Sequence, residues 1–343
     1  MAKAVKLSDI AEQLGVSTVT VSKALSGQKG VSEEMRQKIV ELADALGYKQ
    51  PSVIKRQAEE KKSYNIAVLM HEKYFDKYDS FYLQLYQQLA QRAISLGCFT
   101  FLETVSQSAE NNCETPMVVQ EKKADGVIVV GRFAKKYTDF LDKKLSTMPY
   151  IYLDYCDMKQ NTDAVISDSF YGAYSLTNYL IEMGHRDIGF LGSVLATGSI
   201  TDRYFGYIKS LMEHGIDEKR DWVLKDRDEV TGKLFSPEEL SLPQNMPTAF
   251  VCNCDLAASV LIKRLEEDGY RVPDDISVVG YDNYLYPGLC DVEITTYEVD
   301  IKEMAKRATS RIVKKISNEK YKKGMSIVEG RLVIKDSVKK IGS

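Results

Sequence analysis

The rhythm of apolar and polar positions changes twice along the chain. In "LSDIAEQLG" Ile10 and Leu14 recur at i, i+4 behind Ser8, an N-cap, and Gly15 stops the helix. "STVTVSKALSG" predicts a second helix from Ser17 to Gly27. "SEEMRQKIVELADALGY" predicts a third, starting on Ser32, with Glu33 and Glu34 in its first turn. It buries Met35, Ile39, Leu42 and Leu46 and ends at Gly47. Only Val16 separates the first stop from the second start, which makes the pair a tight helix-turn-helix. Residues 49–63 are polar, carry Pro51 and predict a hinge linker. From Asn65 short apolar runs ("NIAVLM", "GVIVVG", "YIYLDY", "IGFLG", "TAFVCN", "ISVVGYD") alternate with amphipathic stretches. Such alternation implies parallel sheets covered on both faces. The units are too many for one small sheet, so we expect an α/β core of two lobes with a cleft between them.

Composition adds bounds. The 343 residues are 44% hydrophobic, enough for two or three domains. No apolar run approaches the ~18 residues of a membrane span. The start, MAKAVKLSDI, has no signal-peptide core, so a cytoplasmic protein is expected. Cysteines 98, 113, 156, 252, 254 and 290 lie in hydrophobic segments and are expected to be reduced and buried. The Cys252-x-Cys254 pair has no second pair, and His71, His185 and His214 are dispersed, so no metal is expected. "GFLGS" has the wrong spacing for a phosphate loop, and neither G-x-G-x-x-G nor a Walker A sequence occurs; no cofactor is expected. Trp222, the single tryptophan, reads as a packing residue. Charge is uneven. Residues 1–62 hold 11 Lys/Arg against 8 Asp/Glu, net +3, and the remainder holds 35 against 41, net −6. A basic head on an acidic body suits a polyanion partner for the head.

The second predicted helix supplies the chemistry for such a partner. Val21, Ala24 and Leu25 form its inward face. Thr18 with Ser22, and Val19 with Lys23, form i, i+4 pairs pointing outward. Short hydroxyls permit close approach to a duplex. Ser17 and the first backbone N–H groups suit a phosphate, Val19 a thymine methyl, and Lys23 a guanine edge in the major groove.

The stretch from Val5 to Tyr48 resembles the DNA-binding domain of the lactose-repressor (LacI/GalR) family. The resemblance continues through "ADGVIVVG", "MGHRDIGFLG", "DRYFGYIKSL", "FVCNCDLAA", "VPDDISVVGYDN" and "GRLVIKDS", in family order. It implies a helix-turn-helix domain over 1–48 and a periplasmic-binding-protein-like core over 64–343. The N-lobe is expected over about 64–167 and 298–325, the C-lobe over about 168–297 and 326–343. It further implies a homodimer on an inverted-repeat operator and a small effector, a sugar, in the interlobe cleft. Thr18, Val19 and Lys23 match the family's base-reading positions, and Ser17, Thr20 and Ser22 match positions near phosphate. Arg203 matches the arginine that grips ligand hydroxyls, Asp282 the ligand-binding aspartate, Asn253 the cleft asparagine and Asp154 a further cleft position. His185 falls at a structural position.

Two departures stand out. Asn253 is followed by Cys254 where the family has aspartate, which removes one polar contact. In the linker the position of the family's minor-groove leucine holds Gln57 or Ala58, with Val53 or Ile54 as substitutes and Lys55, Arg56, Lys61 and Lys62 around Glu59 and Glu60. Weak bending of DNA is expected. The C-terminal "VIKDSVKKIGS" lacks heptads, so a dimer is expected rather than a tetramer. The expected function is a ligand-controlled transcription repressor of carbohydrate-utilisation genes, not an enzyme. The alternatives are a global regulator answering to a partner phosphoprotein, and an α/β enzyme with a DNA-binding head.

Overall fold

The computed structural model describes residues 6–25, 28, 30–46, 48, 63–75, 81–157, 162–229, 231–285 and 287–342. They fall into two compact units, Met1–Lys62 and Ser63–Ser343. The predicted helix stops Gly27 and Gly47, and the linker residues 49–62 with Val53, Ile54, Gln57 and Ala58, lie outside the described residues.

The first unit contains α1 (Leu7–Leu14), α2 (Thr18–Leu25) and α3 (Glu33–Ala45). Ile10, Ala11, Val21, Ala24, Ile39 and Ala43 form its core. Met35, Leu42 and Leu46, expected inside, are only half-buried, because three short helices enclose little volume. The expected N-cap Ser8 lies instead within the first turn of α1. The Asp9 carboxylate accepts the Lys6 N–H at 2.8 Å and starts the helix earlier. Gly15 adopts φ +61, and Val16 N–H then reaches back to the Ala11 carbonyl at 3.0 Å. That reversal lets α2 begin at once, capped by Ser17, whose Oγ accepts the Thr20 N–H at 3.1 Å. Ser32 caps α3 in the same way, through Met35 N–H at 3.4 Å.

The second unit holds two six-stranded sheets. The first contains β1 (Asn65–His71), β2 (Phe99–Val105), β3 (Gly126–Val130), β4 (Tyr150–Leu153) and β5 (Ala164–Ser167). The second contains β6 (Ile188–Leu191), β7 (Val223–Leu224), β8 (Ala249–Cys252), β9 (Ser277–Asp282) and β10 (Thr295–Glu298). β11 (Met325–Val328) returns to the first sheet and β12 (Arg331–Val333) to the second. The strand orders are β11-β5-β4-β3-β1-β2 and β12-β10-β9-β8-β6-β7. All pairings are parallel except β10 with β12. β3 is buried at every position, as a central strand covered on both faces must be. The return to the second lobe, expected at residue 326, comes after Val328, because Met325–Val328 still pair with Ala164–Ser167.

Helices α4 (Phe81–Ser95), α5 (Gln107–Asn112), α6 (Met117–Gln120) and α7 (Lys135–Leu145) follow strands of the first sheet. α8 (Ser169–Glu182), α9 (Gly198–Glu213) and α10 (Asp255–Glu267) belong to the second lobe, and α11 (Ile301–Ile316) packs on α4, β3 and β4. α8 lies against α9 and the second sheet.

Trp222 is buried and donates its indole N–H to the Asn245 carbonyl at 2.6 Å, a packing role. His185 joins Thr248 and the Lys339 carbonyl, and burial lowers its pKa, so it ties the C-terminal segment to the core as a neutral ring. All six cysteines are free. Cys98 and Cys252 are buried, whereas Cys113, Cys156, Cys254 and Cys290, expected inside, are half-buried because they sit at element ends or, for Cys290, in the connection between β9 and β10.

Candidate functional site

On the first unit, α2 turns Val21 and Ala24 into the core and leaves Thr18, Val19, Ser22 and Lys23 exposed, with Val19 60% accessible. Ser17 is exposed beside them. Thr20 is half-buried, and its hydroxyl shares a 2.9 Å hydrogen bond with Ser17 Oγ. The six sequence-predicted positions therefore gather on the start and outer face of one short helix. An exposed β-branched residue flanked by hydroxyls and a cation is costly packing but good groove chemistry.

Sequence reasoning missed Arg36. From α3 its guanidinium donates to the carbonyls of Ala24 at 2.8 Å and Gln28 at 2.7 Å, and lies 3.5 Å from that of Lys23. A cation on the last carbonyls of α2 satisfies orphan acceptors and complements the helix dipole. Arg36→Met is expected to lower the stability of this unit by about 1–2 kcal/mol. Hydrogen exchange should show α2 amides losing protection; unchanged protection there would contradict the capping role.

On the second unit, polar side chains collect at the carboxyl ends of strands from both sheets, where open α/β sheets place ligands. Arg203, on α9, is 7% exposed. Its guanidinium donates to the Asn253 carbonyl, lies 3.4 Å from Asp282 Oδ1 and stacks 3.6 Å from the centre of the Tyr281 ring. Its Nε has no hydrogen-bond partner among the described residues. Burial disfavours its charge, but Asp282, Tyr281 and Asp154 outweigh that and raise its pKa. Asp282 ends β9 with φ +103, and Asp154 follows β4 with φ +58. Both are left-handed conformations that non-glycine residues rarely adopt, and they mark functional turns when held in place. Asp154 accepts the Tyr82 hydroxyl at 2.7 Å. Burial raises its pKa, against Tyr82 and the Arg203 charge. Asp154 of the first lobe, Arg203 and Asp282 are thus brought within electrostatic reach of one another.

Asn253 is placed differently from the expectation of a direct contact. It is 2% exposed, and its amide hydrogens go to the Leu191 carbonyl at 3.2 Å and Asp226 Oδ2 at 2.7 Å. It stands behind the cleft and positions Arg203 through its own carbonyl. Asp226, which sequence reasoning missed, binds Arg227 through both carboxylate oxygens and accepts the Ser193 N–H at 2.8 Å. Cys254 caps α10 through the Ala257 N–H at 3.4 Å, and burial, reinforced by Asp282, pushes its thiol up to about 12, so it is uncharged at neutral pH.

A three-helix head with an outward reading face, and a two-lobed core with a charged interlobe cleft, define a DNA-binding transcription regulator with a ligand-binding domain. The model for bacterial regulatory proteins of the lacI family matches residues 6–51, and that for the periplasmic binding protein-like domain matches residues 177–338. The chain thus carries a LacI-family helix-turn-helix domain followed by a periplasmic-binding-protein-like domain. The HTH-type transcriptional repressor PurR of Mannheimia succiniciproducens is 28% identical over 337 residues, covering 98% of this chain and 99% of that relative. PurR of Histophilus somni is 27% identical over 338 residues, 97% and 98% of the two chains. The lac repressor dimer bound to operator and the anti-inducer ONPF shares the fold with a TM-score of 0.65 at 23% identity, covering 98% of this chain and all of that one. The complex of the transcriptional regulator CelR with cellobiose does so at 0.66 and 19%, covering 97% and 99%.

Proposed function

We propose that the chain is a dimeric repressor, not an enzyme, whose hold on an inverted-repeat operator is set by a small polyhydroxylated ligand in the interlobe cleft. The observation that carries this reading is the pair of buried Arg203, on α9, with half-buried Asp282, at the end of β9, both within electrostatic reach of Asp154 of the first lobe. A guanidinium fork and an acceptor-only carboxylate suit the acceptor and donor faces of vicinal hydroxyls. Asp154 adds a contact from the opposite lobe. A ligand that touches both lobes binds one relative arrangement of them better than another and so shifts their population. The carbohydrate reading is supported by two structural relatives, one complexed with cellobiose and one with bound ribose.

On the DNA side, Ser17, Thr20 and Ser22 serve phosphates, while Thr18, Val19 and Lys23 read bases. Lys23→Ala is expected to relax preference at one position per half-site by about 1–3 kcal/mol. Competition binding with single-base operator variants checks it. Equal loss on specific and non-specific DNA would make Lys23 a phosphate contact instead. The ligand half of the proposal is tested by thermal-shift screening of the full chain against sugars and nucleosides. A specific ligand at a hundredfold excess over its Kd adds about 2.7 kcal/mol of stability. Stabilisation that persists in Asp282→Ala would refute the assignment of the site.

A further inference from the structure

Three cations converge on the same cleft without being used by the Arg203–Asp282 pair. Lys73 follows β1, Arg132 follows β3 and Arg227 follows β7, so all three lie at strand carboxyl ends, from both lobes. Their backbones are firmly held. His71 Nδ1 accepts the Lys73 N–H at 3.0 Å, which leaves the ring hydrogen on Nε2, 3.5 Å from Glu110 Oε2. The Tyr74 hydroxyl accepts the Arg132 N–H at 2.9 Å and donates to the Arg132 carbonyl at 3.1 Å. Gly131 is required for this, because a Cβ there would lie 2.6 Å from the Tyr74 ring. The Lys73 ammonium sits 5.1 Å from the centre of that ring. The Arg132 guanidinium reaches the Leu195 carbonyl of the second lobe at 3.2 Å, and Ser193, two residues earlier, is bonded to Asp226 and Arg227.

The charges do not balance locally. Asp226 pairs with Arg227 and Asp282 with Arg203, but among the described residues no carboxylate forms an ion pair with Lys73 or Arg132. Glu110, the acid nearest Lys73 in effect, already accepts from Ala134 N–H at 2.6 Å and Gln107 Nε2 at 2.9 Å. Lys73 is solvent-accessible, yet its pKa is lowered, first by desolvation and then by Arg132 and Arg227, with Glu110 opposing. Cations gathered by the fold at the strand ends of one cleft make a receptor for a small anion. The Arg132 guanidinium and the Lys73 ammonium, with the Arg227 nitrogen not spent on Asp226, suit a phosphate, with two negative charges and three acceptor oxygens, better than a single carboxylate.

We propose that the effector is a small phosphorylated polyol, its phosphate received by Lys73, Arg132 and Arg227 and its hydroxyls by Arg203 and Asp282. This rests on the cleft being the effector site. One phosphate held by Arg132 of the first lobe and Arg227 of the second also ties the lobes together.

The test is calorimetry on the full chain with hexose 6-phosphates, ribose 5-phosphate and nucleoside monophosphates. Each is run against its unphosphorylated parent, with inorganic phosphate and hexonates as controls. At least one phosphorylated probe is expected to bind a hundredfold or more tighter than its parent and than inorganic phosphate. Lys73→Gln and Arg132→Gln, with unchanged melting temperature when empty, should each weaken that probe tenfold or more and leave its parent within threefold. If a neutral parent or a hexonate binds as well as or better than its phosphorylated counterpart, and Arg203→Ala abolishes that binding, the effector-site reading stands and the phosphate proposal falls. If phosphorylated probes bind but are indifferent to Lys73→Gln, Arg132→Gln and Arg203→Ala alike, both fall. If no phosphorylated probe binds, the phosphate proposal falls.

Discussion

Arg203→Ala is expected to weaken ligand binding by at least about a hundredfold, and to leave operator binding by the empty protein within about threefold of wild type. The guanidinium supplies charge-assisted hydrogen bonds worth about 1.5–3 kcal/mol each, and two of them account for that loss. The unpartnered Nε adds a donor for a bound ligand to satisfy. Folding should survive, because Asp282 remains partly solvated, with its side chain 16% exposed, and is not stranded as a buried charge. Asp282→Ala removes the matching acceptor, and the Arg203 guanidinium keeps the Asn253 carbonyl and the Tyr281 ring. Calorimetry on a folded variant checks both. Unchanged ligand affinity in either would exclude that residue from the site.

Gly206→Ala is expected to produce the largest loss of stability among single-methyl changes on α9. Its Cβ would lie 2.0 Å from the Phe170 carbonyl oxygen and 3.0 Å from the Tyr174 nitrogen, both backbone atoms of α8. Neither can rotate away, so α8 and α9 must separate. Overpacking of this kind costs about 1–3 kcal/mol, occasionally more, or a melting temperature lower by roughly 2–12 °C in a unit of this size. Arg203 lies one turn before Gly206 on the same helix, so ligand affinity should fall as well. Gly198→Ala is the control, since a Cβ there meets nothing within 4 Å. It is expected to leave the melting temperature unchanged or slightly raised. Similar melting of both variants would show that close packing at Gly206 does not limit the fold.

The fold was legible because its elements obey strong local rules. The one-residue turn at Val16 and the unbroken apolar run of β3 each leave one physical solution. Single caps were less legible. Ser8 reads as the start of α1, but the Asp9 carboxylate, at the third helical position, accepts the Lys6 N–H and sets the helix start two residues earlier. The cleft was legible where a polar residue ends an apolar strand, as at Asp154 and Asp282. The same rule, applied to "VIVVGR" and "VLMHEK", points to Arg132 and Lys73, but a lone cation after a strand reads as surface. Arg36 and Asp226 carried no comparable pattern. Arg36 acts on carbonyls 8 and 12 residues away, and Asp226, beside its adjacent partner Arg227, holds Ser193 and Asn253 33 and 27 residues away, bonds that only the fold reveals.

The most direct test is the affinity of the full chain for an operator selected from random duplex DNA, measured by fluorescence anisotropy with and without a saturating ligand identified by calorimetry. The selected operator should be an inverted repeat. The ligand should change its Kd about 5- to 150-fold in wild type and not in Arg203→Ala, the span of a coupling of about 1–3 kcal/mol. An operator Kd identical with and without a ligand that demonstrably fills the cleft would contradict ligand control of DNA binding.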